Sequence, residues 1–244
     1  MPQDNIPFVI ERDLPNGVIY DLTSPRHVTI SLPPTSTWSS GLHWHEGHVE
    51  YLKVVQGSIK VRLGSMQRII SASETSQPEL RIDKFVWHEW QRAESGGSEV
   101  VVIERTDPAD GEKSLFFWNL NSVILNIPRL LDTQPFLSRC PAAAARLLLT
   151  FWMELNLMVI FAHLDNIPVY FNLPRSKFRI GNLIPVQALA AMDWMISHMV
   201  LSVAALIGWA LGVQPVDRRY TPEREFAHWI ATRGRGQNSH GRHL

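Results

Sequence analysis

Three side chains that can bind a metal stand within eight residues of one another: His43, His45 and Glu50. Successive side chains of a strand point to opposite faces, so His43 and His45 share a face if this segment is extended. Glu46-Gly47 is typical of a turn, after which Glu50 can begin a second strand. Two imidazoles and a carboxylate converging from paired strands suit a divalent transition metal with coordination positions left open. The pattern therefore predicts a chemical site in addition to a fold.

The composition is that of a globular protein without an overall charge preference. The chain has 244 residues, of which 45% are hydrophobic and 19% charged, and this excludes a disordered protein. Lysine plus arginine equals aspartate plus glutamate at 23 each, so nucleic acid is not an expected partner. The single cysteine, Cys140, cannot form an intrachain disulfide and fits a reducing, intracellular compartment. Residues 1–5 contain no basic stretch leading into an apolar run, so a cleaved signal peptide is not expected.

The chain divides near residue 110 into a strand-rich part and a helical part. Val28, Ile30 and Leu32 alternate with polar residues, and similar alternations separated by turn signals recur up to residue 105. Beyond this point long apolar segments with helical spacing take over. We therefore predict an N-terminal β-barrel domain over residues 1–110 and an α-helical C-terminal region over residues 111–232. The end of the chain, residues 233–244, is predicted to be a flexible tail.

The run His43-x-His45-x4-Glu50-x6-Gly57 resembles the first motif of the cupin superfamily and matches its core spacing. The resemblance implies a small, jelly-roll-like barrel, the double-stranded β-helix, that holds one divalent metal. Iron, manganese, nickel, zinc and cobalt all occur in such sites. A second cupin motif supplies one more histidine, and His88 is the best candidate because strand alternation lets it point into the barrel. The implied ligand set is His43, His45, Glu50 and His88.

The chain departs from the cupin motifs at four positions. Thr37 stands where the first motif begins with glycine. In the second motif the expected proline, glycine and asparagine fall on Asp83, Phe85 and Arg92. The turn of the second motif is therefore expected to be shaped differently. The resemblance covers roughly residues 20–106, under half of the chain.

Other polar and aromatic side chains near the predicted ligands have less specific roles. His48 is predicted to be a turn residue and not a fifth ligand. Glu89 lies on the strand face opposite His88, so it is a poor candidate for a general base. Trp44, Trp87 and Trp90 are candidates to line a substrate cavity, and the alternative for Trp44 and Trp87 is outward packing against a lid or another subunit.

Two apolar segments, residues 142–164 and 194–213, raise the question of a membrane. The second contains His198 as its only ionisable side chain, and its 20 residues can cross a bilayer core of about 30 Å. In one reading the segments form a helical hairpin in or on a membrane, with Glu154 facing Asp193 or His198. In the other they are core helices that form the interface of a soluble homodimer.

We favour the membrane hypothesis, with the cupin domain in the cytosol. An even number of crossings places both ends of the chain on one side of the bilayer. Arg175, Lys177 and Arg179, in the loop between the segments, weaken the charge argument for this orientation.

The expected function is that of a metal-dependent enzyme acting on a lipophilic or aromatic small molecule. An oxidoreductase or oxygenase is the leading class, and an isomerase or decarboxylase is also compatible with such a site. The alternative is a non-catalytic metal- or ligand-binding module, anchored to a membrane or dimerised through its helices. A small N-terminal cupin followed by helices rich in Trp, Leu and Ala is similar to fungal cupins. That resemblance implies a step in specialised-metabolite biosynthesis.

Overall fold

The computed structural model describes residues 6–94, 96–134, 139–172 and 185–240. Ten short strands precede the first helix. They are β1 (Val9–Arg12), β2 (Val18–Asp21), β3 (Val28–Leu32), β4 (His43–Trp44), β5 (Val49–Gln56), β6 (Ser58–Leu63), β7 (Met66–Ser71), β8 (Glu79–Ile82), β9 (His88–Arg92) and β10 (Val100–Asp107). The later elements are α1 (Glu112–Asn126), α2 (Leu130–Thr133), α3 (Ala142–His163), β11 (Ile167–Pro168), α4 (Val186–Ala210) and α5 (Glu223–His240).

The strands form two antiparallel sheets with one core between them. The larger sheet has the order β1-β2-β3-β10-β5-β8, and the smaller has the order β11-β4-β9-β6-β7. Inward-facing side chains of both sheets, such as Ile30, Val54 and Val61, are fully buried and belong to one apolar cluster. Their alternation with exposed or half-buried neighbours is the period-2 pattern of the sequence. The predicted fold class, a jelly-roll-like β domain followed by helices, is confirmed.

Gly57 marks the point where the chain passes from β5 in the larger sheet to β6 in the smaller sheet. Its φ of +75° lies in the left-handed region. A Cβ atom there would lie 2.9 Å from the carbonyl oxygen of Glu99 and 2.9 Å from a methyl carbon of Val100. Both the conformation and the close approach require glycine.

The departures from the second cupin motif are accommodated locally. Phe85, where the motif has glycine, adopts a φ of +64° in a turn closed by the Val86 N–H bond to the Asp83 carbonyl. Arg92, where the motif has asparagine, is buried and donates to backbone carbonyls at 2.8–3.2 Å. The acceptors are the carbonyls of Leu32, Pro33, Gly96 and Ser98. Arg92 therefore ties the end of β9 to two neighbouring loops.

The helices pack in layers beside the sheets. Helix α3 contacts α1 on one side and α4 on the other. The inward stripe of α4 includes Leu201, Ala204 and Gly208, and a Cβ atom at Gly208 would lie 2.5 Å from a methyl carbon of Val159. The absence of a side chain at Gly208 thus allows α3 and α4 to approach closely. Both helices are long and apolar enough to cross a membrane by length and composition, a test that buried core helices also pass.

The helical region contacts the β domain more extensively than the division of the sequence suggests. Strand β11 pairs with β4, and Phe117 and Trp118 of α1 belong to the apolar cluster between the sheets. His198 bonds to Glu46 of the β domain at 3.0 Å, whereas the side chain of its predicted partner Glu154 is exposed.

The last helix, α5, is longer than the sequence predicts. Helix α5 continues to His240, beyond the predicted end of the helical region at residue 232 and into the predicted tail. Arg175, Lys177 and Arg179 lie outside the described residues, as do residues 241–244.

Candidate metal centre

The structure brings the four predicted ligands together between the two sheets. His43 and His45 come from β4 and the residue after it, Glu50 from β5 and His88 from β9. His43 and His88 are directly opposite one another in the β4–β9 pair. All four side chains are buried, and one ligand atom from each lies within 4.8 Å of the others. Strand alternation therefore places four potential ligands around one point.

Each of the three histidines uses Nδ1 to donate a hydrogen bond to a backbone carbonyl. His43 donates to the carbonyl of Gly41 at 2.8 Å, and His88 donates to the carbonyl of Val86 at 2.8 Å. His45 donates to the carbonyl of Asp165, which follows helix α3. A carbonyl oxygen can only accept, so Nδ1 carries the proton and Nε2 carries the free lone pair. This is the tautomer and the outer hydrogen bond that a metal-binding histidine requires.

The inward-facing atoms of the site fit a cation. The Nε2 atoms of His45 and His88 are buried and make no hydrogen bond among the described residues. Oε2 of Glu50 lies 2.8 Å from Nε2 of His88 and 3.7 Å from Nε2 of His45. Buried nitrogen lone pairs without a donor are costly, and an ion bound by nitrogen and oxygen ligands would satisfy them. The buried group could therefore bind a metal.

The electrostatics keep the candidate ligands in the forms that bind metals. Burial, together with the neighbouring His88 and His45 rings, lowers the pKa of His43 well below its ordinary value. Burial alone would raise the pKa of Glu50, but the Lys113 ammonium and the adjacent His45 and His88 rings hold it well below its usual range. A neutral imidazole and an ionised carboxylate are the protonation states that coordinate a cation.

Lys113, in the first turn of α1, forms a buried charge cluster with two carboxylates. Its Nζ contacts Oε1 of Glu50 and lies 2.8 Å from Oε2 of Glu104. Burial alone would lower the pKa of Lys113, but Glu104 and Glu50 raise it above its usual range. Burial raises the pKa of Glu104, and the Glu50 carboxylate adds to this against the effect of Lys113. Lys113 therefore occupies one oxygen of Glu50 and leaves the other facing the histidines.

Asp165 holds the turn between β4 and β5 from the end of α3. Its carboxylate accepts from the backbone N–H groups of Glu46 at 2.7 Å and Gly47 at 2.9 Å. The same carboxylate pairs with Nδ1 of His48 at 2.7 Å, while Nε2 of His48 pairs with Asp110 at 2.9 Å. These two hydrogen-bonded carboxylates raise the pKa of His48 to about 10. His48 is thus a charged turn residue, and a protonated ring cannot act as a ligand.

A cavity of about 170 Å³ opens beside the candidate metal centre. His43 and His45 line it together with Lys113 and Glu104. Five aromatic side chains form one part of the wall: Tyr20, Trp38, Phe116, Phe117 and Phe161. Another part is polar and includes Arg12, Ser39, Glu112 and Asp165. A small apolar molecule can therefore lie next to the predicted ligands.

The remaining tryptophans and Glu89 are positioned by the packing of strands and helices. Trp44 is fully buried, stacks on Trp87 at a centroid distance of 5.9 Å and contacts Leu201 of α4. These rings pack against a helix of the same chain. The Glu89 carboxylate lies 3.8 Å from the Arg62 guanidinium, on the strand face opposite His88.

Sequence reasoning missed Lys113, Glu104 and Asp165. Lys113 and Asp165 reach the site from 63 and 120 residues along the chain. No local periodicity encodes such contacts. The one available signal for Glu104 was its inward parity in β10, where a carboxylate occupies a position otherwise typical of an apolar side chain.

The sequence matches no protein-family profile and no curated protein sequence. Among solved structures, the TT1209 protein of Thermus thermophilus is similar at 18% identity and a TM-score of 0.29, over 36% of this chain and 79% of that one. The capsular polysaccharide assembling protein CapF of Staphylococcus aureus is similar at 17% identity and a TM-score of 0.32, over 40% of this chain and 30% of that one. The CENP-C cupin domain of Drosophila melanogaster is similar at 13% identity and a TM-score of 0.31, over 40% of this chain and 74% of that one. Solved cupin domains are thus among the structures to which this chain is similar.

Proposed function

We propose that His43, His45, Glu50 and His88 bind one divalent transition metal in a cupin-like enzyme that acts on a lipophilic or aromatic small molecule. The observation that carries this proposal is the orientation of the histidines. Three backbone carbonyls take the three Nδ1 protons, and the buried Nε2 atoms of His45 and His88 are left beside Oε2 of Glu50. A protein has little reason to bury such a set of acceptors unless a cation binds among them.

The residues around the centre define what a bound molecule would meet. A metal there would supply Lewis acidity, and iron would add redox chemistry. The aromatic wall of the cavity would exclude water and hold an apolar ring next to the centre. Glu104 also lines the cavity, and its two oxygens already accept hydrogen bonds from Trp90 and Lys113. An oxygenase or other oxidoreductase, a decarboxylase and an isomerase all fit this arrangement. We extend the proposal to a step in specialised-metabolite biosynthesis, because the order of a small N-terminal β domain and apolar helices resembles that of fungal cupins.

Metal analysis of the purified protein tests the metal centre. We expect about one divalent metal per chain and its loss in the His43→Ala/His45→Ala double variant, because both ligands come from one short segment. His228→Ala, which changes an exposed histidine of α5, is the matched control and should keep the metal. A double variant that retains stoichiometric metal would contradict the proposal.

The contact between Lys113 and Glu50 favours one alternative, a non-catalytic binding module. An ammonium on Glu50 neutralises the buried carboxylate without any ion, so the barrel could be maintained for ligand binding alone. The identity of the metal separates the two functions. Iron or copper accompanied by oxygen consumption supports an oxygenase, whereas zinc or no metal supports an isomerase or a binding role.

The exposed apolar face of α4 supports association with an intracellular membrane. Six large apolar side chains recur on this face at helical spacing and are exposed to solvent: Met192, Met195, Met199, Val203, Leu206 and Trp209. The opposite face contacts the β domain between residues 194 and 201, through Trp194, Ser197 and His198. Only residues 202–210, about a third of the helix, extend beyond those contacts, which is shorter than the roughly 20 residues of a membrane span. The helix is therefore proposed to lie on the membrane surface, from which a lipophilic substrate could reach the cavity.

Vesicle flotation tests this membrane association. The full chain is expected to float with phosphatidylcholine vesicles, and Leu206→Glu/Trp209→Glu should reduce the bound fraction because two charges would enter the interface. Met66→Glu, at an exposed position of β7, is the control and should bind like the unaltered protein. A soluble dimer that buries Trp209 and does not float with vesicles would show that the apolar face is a subunit interface.

A further inference from the structure

Arg12, in strand β1, presents a cation to the cavity without a carboxylate partner. It lines the same cavity as His43 and His45. Its Nε atom is buried and makes no hydrogen bond within the described part of the chain. Its Nη2 atom makes one long hydrogen bond, 3.4 Å, to the hydroxyl of Tyr20. Each neighbouring buried cation, in contrast, has carboxylate partners.

Arg12 and Lys113 both line the cavity, but of these two described residues only Lys113 is paired with carboxylates. The positive charge of Lys113 is already taken by Glu50 and Glu104. Arg12 therefore keeps donors available for a molecule that enters the cavity. A guanidinium presents its N–H groups in a planar fork, and a carboxylate matches that fork with two parallel hydrogen bonds.

The size and the walls of the cavity restrict the rest of the ligand. A cavity of about 150 Å³ accommodates benzene, so the 170 Å³ cavity has room for one ring with small substituents. The Tyr20 and Phe117 rings lie 4.6 Å apart between centroids on this wall. Stacking and edge contacts with such rings favour an aromatic ligand over an aliphatic chain.

We propose that the cavity binds a single-ring aromatic carboxylate, whose carboxylate pairs with Arg12 while the ring lies against the aromatic wall. This inference rests on the proposed function, because it assigns a substrate class to the cavity beside the metal centre. Arg12 is a binding residue in this arrangement, and the metal ligands face another part of the same ligand.

Calorimetric titration with benzoate and benzamide tests the proposal, because the two probes share shape and differ in charge. The unaltered protein should bind benzoate about tenfold more tightly than benzamide, because benzamide cannot form the charged hydrogen bond with Arg12. Arg12→Gln should remove that preference, and Arg12→Lys, which keeps the charge without the fork, should leave a smaller one. Arg68→Gln changes an exposed arginine of β7 and should behave like the unaltered protein. Thermal melting of every variant establishes that it is folded.

Repeating the titrations on metal-loaded and chelator-treated protein separates this proposal from that of the metal centre. A benzoate preference that depends on Arg12 in both samples supports the inference, even if the metal analysis fails. Equal binding of the two probes overturns it. A preference that survives Arg12→Gln and disappears on metal removal also overturns it, since the carboxylate would then bind the metal. If Arg12→Gln does not fold, the unaltered protein and Arg12→Lys still decide between these outcomes.

Discussion

Phe85 combines an exposed aromatic side chain with a backbone conformation that side chains rarely adopt. Its φ is +64° and 60% of its surface is exposed, so little packing compensates for the strain. Its backbone N–H nevertheless donates to the carbonyl of His45 at 2.7 Å, which ties this turn to a predicted metal ligand. The left-handed conformation costs a non-glycine residue about 1–2 kcal/mol. Phe85 thus replaces the glycine of the cupin motif and keeps the left-handed backbone conformation that glycine adopts easily.

Replacing Phe85 with glycine is expected to stabilise the protein. Phe85→Gly removes the steric strain at Cβ, and the larger entropy of glycine in the unfolded chain offsets only part of the gain. We expect the free energy of unfolding to rise by about 0.5–1 kcal/mol, measured by urea denaturation. Phe85→Ala is the matched control, because it removes the ring and keeps Cβ. Equal stability of the two variants would show that Cβ strain contributes nothing at this turn.

At the scale of elements, the strands of the candidate site could be predicted and the contacts that hold them could not. The side-chain alternation of β4, β5 and β9 is a local property, so the faces of His43, Glu50 and His88 followed from the sequence. Asp165 lies between α3 and β11, with a φ of +47°. Its partnership with the β4–β5 turn depends on where a long helix ends in space. Nothing in the local pattern specifies that position.

Substitution of Asp165 should weaken metal binding without removing a ligand. Asp165→Ala deletes the acceptor that fixes the Glu46 and Gly47 N–H groups, and so loosens His45. Changes to the partners of metal ligands typically reduce affinity by about 10–100-fold, and we expect a loss in that range.

The affinity is measured by competition with a chelator. Asp165→Asn keeps one oxygen acceptor and a residue that tolerates positive φ, so it should lie between Asp165→Ala and the unaltered protein. Asp13→Ala, at an exposed position, is expected to have no effect. Unchanged affinity in Asp165→Ala would exclude a positioning role for this carboxylate.

At the scale of the whole molecule, the order of elements was readable and the packing of the two halves was not. Helix α4 is apolar around most of its circumference, and such a helix gives no indication of which face is buried. The buried face turns out to be marked by small and polar residues, including Asp193, Ser197 and Gly208. The exposed face carries the larger apolar residues, the reverse of an ordinary amphipathic helix. A pattern that is read only for hydrophobicity therefore predicts a membrane segment and misses the contact with the β domain.

The contacts between the halves predict that the β domain does not fold alone. A fragment of residues 1–110 would lose Phe117 and Trp118 from its core, and burial of one large side chain is worth about 1.5–3 kcal/mol. It would also lose Lys113, which would leave Glu50 and Glu104 buried without a counterion, at a further cost of about 3–5 kcal/mol.

These losses together approach the total stability of a typical domain, about 5–15 kcal/mol. We therefore expect the fragment to show no cooperative thermal transition and no stoichiometric metal. A longer fragment, residues 1–232, keeps all of these contacts and should melt like the full chain. A cooperative melt of residues 1–110 with metal bound would instead show that Lys113, Asp165 and the α1 aromatic residues are accessory to an independent barrel. The candidate centre is contacted by residues from both halves of the chain. A ligand or membrane surface that moves α3 would therefore also change the position of His45.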